Sequence, residues 1–171
     1  MRVVINDANI LIDLVKIDLM NQFVQLDMEL KTTDFVFEEL NEEQKNIITL
    51  YINVGEIEII TTEKVEDFAG ISSILDHASG LSFEDCSVWY YANKFKGILL
   101  SGDGRLRKLA IANGIEVRGI LFVLDQLLLK DWITFELAIE KIELLYKINS
   151  RLPISSKNER ISHWILEKHL D

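Results

Sequence analysis

The chain has 171 residues, 49% of them apolar and 27% charged, with 28 acidic side chains against 18 basic ones. That length suits one domain with a sizeable core that needs no disulfide or metal to fold, and the composition excludes intrinsic disorder. The net charge of −10 is wrong for a protein that holds nucleic acid by charge alone, so either nucleic acid is not its partner or some of the acids hold cations.

Residues 2–6 (RVVIN) read as a short strand that stops at the polar pair Asn6-Asp7. Residues 8–15 carry Ile10, Leu11, Leu14 and Val15 at helical spacing, and 19–26 continue that pattern. A second short strand is predicted at 29–32. Residues 36–40 lead into a helix over 41–54, and 56–60 read as a strand. Residues 64–77 are helical in pattern, and Gly80 ends them. Ser82 opens the next helix, which runs to about residue 96. The run 97–100 (GILL) is a continuous apolar strand followed by Ser101-Gly102-Asp103-Gly104. Residues 105–113 form a helix that Gly114 closes as a C-cap, and 116–118 make a last strand. From Ile120 the sequence is nearly all helix, and Pro153, the one proline, precedes a final amphipathic segment over 155–170. Strands separated by helices predict an α/β fold with a mostly parallel sheet covered on both faces. The organisation expected is a domain over 1–130 with a helical extension over 131–171, packed on that domain or contacting a partner.

Ligands bind beyond the carboxyl ends of the strands in open parallel sheets. Asp7 follows the first strand and Asp103 follows the GILL strand, so both fall at one end of the sheet. Glu39 and Asp85 lie between them near the starts of helical patterns. Each acid has a purely structural alternative. Asp7 and Asp103 suit N-caps, Asp85 stands three residues after Ser82 as in a capping box, and Glu39 suits an exposed helix position. Carboxylates that converge raise one another's pKa unless a cation sits among them. Hard oxygen ligands select magnesium or manganese, ions that activate water and polarise phosphate. His77, His163 and His169 show no ligand spacing, which argues against zinc.

These motifs resemble those of the PIN-domain nucleases. Asp7-Ala8-Asn9-Ile10-Leu11 is similar to the family's Asp-x-Asn opening, and residues 36–40 (VFEEL) to its Glu-Leu element. Residues 81–85 (LSFED) and 99–108 (LLSGDGRLRK) resemble its third and fourth acidic motifs. The likeness covers roughly residues 1–129, and residues 82–124 and 151–153 look like the PIN proteins of prokaryotic toxin–antitoxin pairs. The resemblance implies a three-layer α/β/α fold and a metal-dependent endoribonuclease using magnesium or manganese. It carries catalytic and metal-ligating roles onto Asp7, Glu39, Asp85 and Asp103, with Asn9 and Ser101 as supporting groups. It also implies a small antitoxin partner and a homodimer. Glu38 beside Glu39, and Glu84 beside Asp85, leave each assignment open by one position. Gly104 and Arg105 stand where many members carry a further acid, which leaves one metal or two open.

Arg105, Arg107 and Lys108 follow the fourth acid and are expected to contact RNA phosphates. Trp89, Tyr90 and Tyr91 suit either stacking on bases or the core. Two other classes stay open. One is a phosphoaspartyl phosphatase or receiver-type domain with Asp7 as nucleophile; the other is a PIN-like module that binds without catalysis. The longest apolar runs are about five residues, against ~20 for a bilayer span. The opening Met-Arg-Val-Val-Ile is not a signal-peptide pattern. One cysteine, Cys86, suits a reducing compartment. The expected location is the cytoplasm, away from any membrane.

Overall fold

A computed structural model describes residues 1–168; His169 and Leu170, which the sequence reading placed in the last segment, lie outside them. Five strands, β1 (Arg2–Asn6), β2 (Met28–Thr33), β3 (Ile57–Ile60), β4 (Ile98–Leu100) and β5 (Glu116–Arg118), form one sheet in the order β3-β2-β1-β4-β5. Every pairing is parallel, and Asn6 stands opposite Leu100 where β1 meets β4. Val4, Ile5, Ile98, Leu99 and Leu100 are fully buried. Consecutive strand residues face opposite ways, so both faces of the central strands must be covered. Helices cover them, giving the three-layer α/β/α arrangement.

The first half of the chain contributes α1 (Ala8–Lys16), α2 (Met20–Phe23), α3 (Asp34–Glu39), α4 (Glu42–Asn53) and α5 (Val65–His77). The second half contributes α6 (Phe83–Lys94), α7 (Gly104–Ala112), α8 (Ile120–Leu129), α9 (Phe135–Ile148) and α10 (Ile154–Lys168). Helix α6 packs on β1, β2 and β4 and buries Val88, Trp89, Tyr91 and Ala92. The aromatic run of that helix is therefore core on its inner side, with the Tyr90 hydroxyl donating to Asp67 at 2.7 Å. Gly114 holds φ +81, and its N–H and that of Ile115 close α7 onto Ile111 and Ala110. This is the expected glycine C-cap.

Two stretches differ from the sequence reading. Residues 36–39 belong to a helix of their own, α3, because Leu40 turns extended at ψ 144 and Asn41 starts α4 afresh. Asn41 accepts from Gln44 N at 2.9 Å while Gln44 Oε1 accepts from Asn41 N at 3.0 Å, a capping box built on Asn and Gln. The second helical stretch, expected over 19–26, is only the single turn of α2. Helix α10 packs on α9. Its Trp164 donates from Nε1 to Asp125 of α8 at 2.9 Å, and Arg160 pairs with the same carboxylate. None of the described helices is long and apolar enough to cross a membrane.

Candidate active site at the carboxyl edge of the sheet

The strand order reverses between β1 and β4: the chain lays β2 and β3 on one side of β1, then crosses to the other for β4 and β5. Such a switch point opens a crevice beyond the strand ends. Asp7 leaves β1 there with its N–H bonded to Leu100 O at 2.9 Å, and Ser101 leaves β4 with its N–H bonded to Arg118 O at 3.0 Å. The sheet thus brings the ends of β1, β4 and β5 side by side.

A polar network locks the first two ends together. The Asp7 carboxyl is buried. Its Oδ1 accepts from Ala8 N at 2.8 Å, which caps α1, and its Oδ2 accepts from Asn9 Nδ2 at 2.7 Å and from the Ser101 hydroxyl at 2.6 Å. Asn9 then accepts from Gly102 N at 2.7 Å through its own Oδ1. A Cβ on Gly102 would stand 3.1 Å from that oxygen, so the close approach favours glycine. The Ser101 oxygen also accepts from Asp103 N at 3.0 Å, linking the two strand-end acids through one hydroxyl. Asp103 caps α7 by accepting from Leu106 N at 2.7 Å, and Asp85 closes a capping box with Ser82 at 2.9 and 3.0 Å. The structural roles proposed for Asp7, Asp85 and Asp103 are therefore all present. They coexist with a second property.

That property is mutual repulsion. Burial, and then the charge of Asp85, push the Asp7 carboxyl up to about 6 against the pull of its donors. Desolvation, followed by the charges of Asp7, Glu84 and Asp85, pushes Glu39 up to about 7. Carboxyl groups at the end of β1, in α3 and in α6 thus raise one another's proton affinity, with Glu39 feeling the other three. Glu84, the neighbour of Asp85, belongs to the group. Glu38 instead pairs with Lys45 at 2.6 Å, whereas Glu39 has no hydrogen-bond partner among the described residues. Asp85 and Asp103 each keep one carboxyl oxygen without a protein donor. No three His, Cys, Asp or Glu side chains among the described residues form a ready-made metal cluster. The acids surround the crevice without closing on a common point. Cys86, behind them, is buried, and its thiol is pushed up to about 11 by burial and the charges of Asp85 and Glu84, which leaves it inert.

The basic residues after Asp103 part company. Arg107 donates from Nη1 to Ser101 O at 2.8 Å and lines a groove that opens from the crevice. Arg105 turns to the loop before α6, where its Nε donates to Ser79 O at 2.5 Å, and Lys108 is exposed away from the groove. Arg118 stands at the groove instead. Arg118 is the last residue of β5, a strand end like those that carry Asp7 and Asp103.

Among solved structures the chain is similar to VapBC-1 from nontypeable Haemophilus influenzae, at 13% identity and a TM-score of 0.49 over 69% of this chain and 98% of that one. A domain of a functionally unknown protein from Methanocaldococcus jannaschii DSM 2661 matches at 19% identity and a TM-score of 0.49, over 70% and 91%. VapBC2 from Rickettsia felis, bound to a DNA fragment from their promoter, matches at 10% and 0.47, over 68% and 98%. No curated protein matches the chain. A family model described as DUF3368, PIN domain, matches residues 3–165, from the first strand into the last helix. The chain belongs to the PIN-domain family.

Proposed function

We propose that this protein is a divalent-metal-dependent endoribonuclease, the toxin of a toxin–antitoxin pair, acting in the cytoplasm. The observation that carries the reading is the group of mutually repelling carboxyls, Asp7, Glu39, Glu84 and Asp85, at the switch point of a PIN-domain sheet. Family membership supports nuclease chemistry. The likeness of residues 82–124 and 151–153 to toxin-type members supports the antitoxin partner and the homodimer.

The donor chemistry, carboxylate, amide and hydroxyl oxygens with no thiolate or imidazole among them, is that of magnesium or manganese, although no three acids among the described residues form a ready-made site. Asp7, Asp85 and Asp103 would hold the ion, and Glu39 would hold it or orient water. When bound, such an ion supplies Lewis acidity toward a phosphate and lowers the pKa of water. Asn9 and Ser101 fix the orientation of the Asp7 carboxyl through two hydrogen bonds of 2.7 and 2.6 Å. Glu39, which has no hydrogen-bond partner among the described residues, is the carboxylate free to take a proton from water. The reaction adds water across one P–O bond; the proton released on attack passes to Glu39, and the departing oxygen is protonated from solvent.

Cleavage of a mixed structured RNA pool tests this reading, run with manganese, with EDTA and with Asp103→Asn. The variant removes one charge with little change of shape. Cleavage that needs manganese and disappears in the variant is the expected result. Intact RNA after incubation with folded, manganese-loaded wild-type protein would overturn the reading.

A further inference from the structure

A groove of about 970 Å³ opens from Asn9, Ser101 and Asp103 and runs between α1, the start of α8 and the α9–α10 junction. Its lining departs from the charge of the molecule. Five cations, Lys16, Arg107, Arg118, Arg151 and Arg160, face it in a chain of net charge −10. Four acids share the lining; Glu159 is exposed and has no partner among the described residues, and the other three are engaged. Asp125 pairs with Arg160, Asp13 accepts from Asn149 Nδ2 at 3.0 Å, and Asp103 caps α7. Among the described residues Lys16, Arg107 and Arg151 have no ion-pair partner, and Arg118 shares Glu116 with Arg2.

Arg107 and Arg118 both line the groove beside Gly119. Burial, and then the charge of Arg118, lower the proton affinity of Arg107. Gly119 leaves room for the Arg107 side chain, since a Cβ there would stand 3.3 Å from Arg107 Nη1. Arg107 has no acid of its own and Arg118 meets only Glu116, at 3.2 Å, so both guanidinium groups stay open to an anion at the groove. Phe122 lines the same groove, with Arg118 over its ring at 5.5 Å from the centroid. Cations beside aromatic faces suit an unpaired strand, whose phosphates and exposed bases are held by different groups.

We infer that single-stranded RNA leaves the acidic crevice along this groove, its phosphates held by Lys16, Arg107, Arg118 and Arg151. The inference rests on the nuclease reading for the identity of the strand. The occupant is a polyanion continuous with the crevice, so phosphate contacts strengthen binding beyond the scissile bond.

The test is fluorescence anisotropy with the full chain and a labelled single-stranded RNA of about 12 nucleotides, in EDTA so that no cleavage intervenes. Arg118→Ala with Arg151→Ala is expected to weaken binding about tenfold or more. The slope of log affinity against log salt should flatten by about 1.4, or ~0.7 for each lost phosphate contact. Arg151→Glu, at an exposed turn, gives the same direction without threatening the fold, and Lys130→Ala outside the groove leaves binding unchanged. The groove is overturned if wild type binds no RNA, if both folded groove variants bind as wild type does, or if duplex DNA binds as tightly. Variant-sensitive binding supports the groove even where manganese then brings no cleavage, an outcome that overturns the nuclease reading alone.

Discussion

Asp7 is held in its charged form at an electrostatic cost. Its carboxyl is 3% exposed and pushed up to about 6, so keeping it ionised above that pH costs on the order of 3 kcal/mol. Glu39, pushed up to about 7, adds to the same repulsion. The folded state binds more protons than the unfolded one between about pH 4 and 7, so these groups lower stability as pH rises through that window. Glu39→Gln should therefore raise the melting temperature of metal-free protein at pH 8, leave it nearly unchanged at pH 4, and cut cleavage by ~10²-fold or more. A melting temperature lowered equally at both pH values would contradict this. Ser101 joins the two strand-end acids through one hydroxyl, and Ser101→Ala should cost about 1–3 kcal/mol in denaturant unfolding, because Asp7 and Asp103 N each lose a buried partner. A change of only a few tenths would show the link to be incidental. Asp7 and Asp103 were legible in sequence because each follows a buried strand. Which of Glu38 and Glu39 is left unpaired was not, since that depends on Lys45, a helix away, capturing Glu38.

At the scale of elements, the parallel strands were readable because strands buried on both faces are continuous apolar runs, as GILL is. The helix boundaries were harder. Residues 36–54 look like one lead-in and one helix, and only the Asn41–Gln44 capping box separates α3 from α4. Asn and Gln signal a cap less plainly than Ser and Glu do. The break has a consequence for the crevice, because Glu39 is the last residue of α3 and owes its position to that ending. Asn41→Ala should cost about 1 kcal/mol, measured by thermal or urea unfolding; an unchanged stability would show that α4 starts without the box. The C-terminal helices were expected from composition, but the groove between them and the sheet was not. It depends on Trp164 and Arg160 meeting Asp125 in α8, a pairing across residues that no local pattern announces.

Across the whole molecule the cations are unevenly placed. Asp7, Glu39, Glu84 and Asp85 gather on one side of the switch point, five cations line the groove beyond it beside four acids, and Ser101 with Asn9 joins the strand ends between them. A net charge of −10 that seemed to argue against nucleic acid is thus compatible with an RNA path, because the relevant charge is local. The central claim is that the acidic crevice exists to take a divalent cation, and proton release tests it most directly. Asp7 and Glu39 are partly protonated near pH 6, so an ion must displace their protons. Manganese titrated calorimetrically at pH 6, in buffers of different ionisation enthalpy, should bind with release of about one proton per ion, falling toward none at pH 8.5. No binding at millimolar manganese, or binding with no proton release at pH 6, would contradict the account.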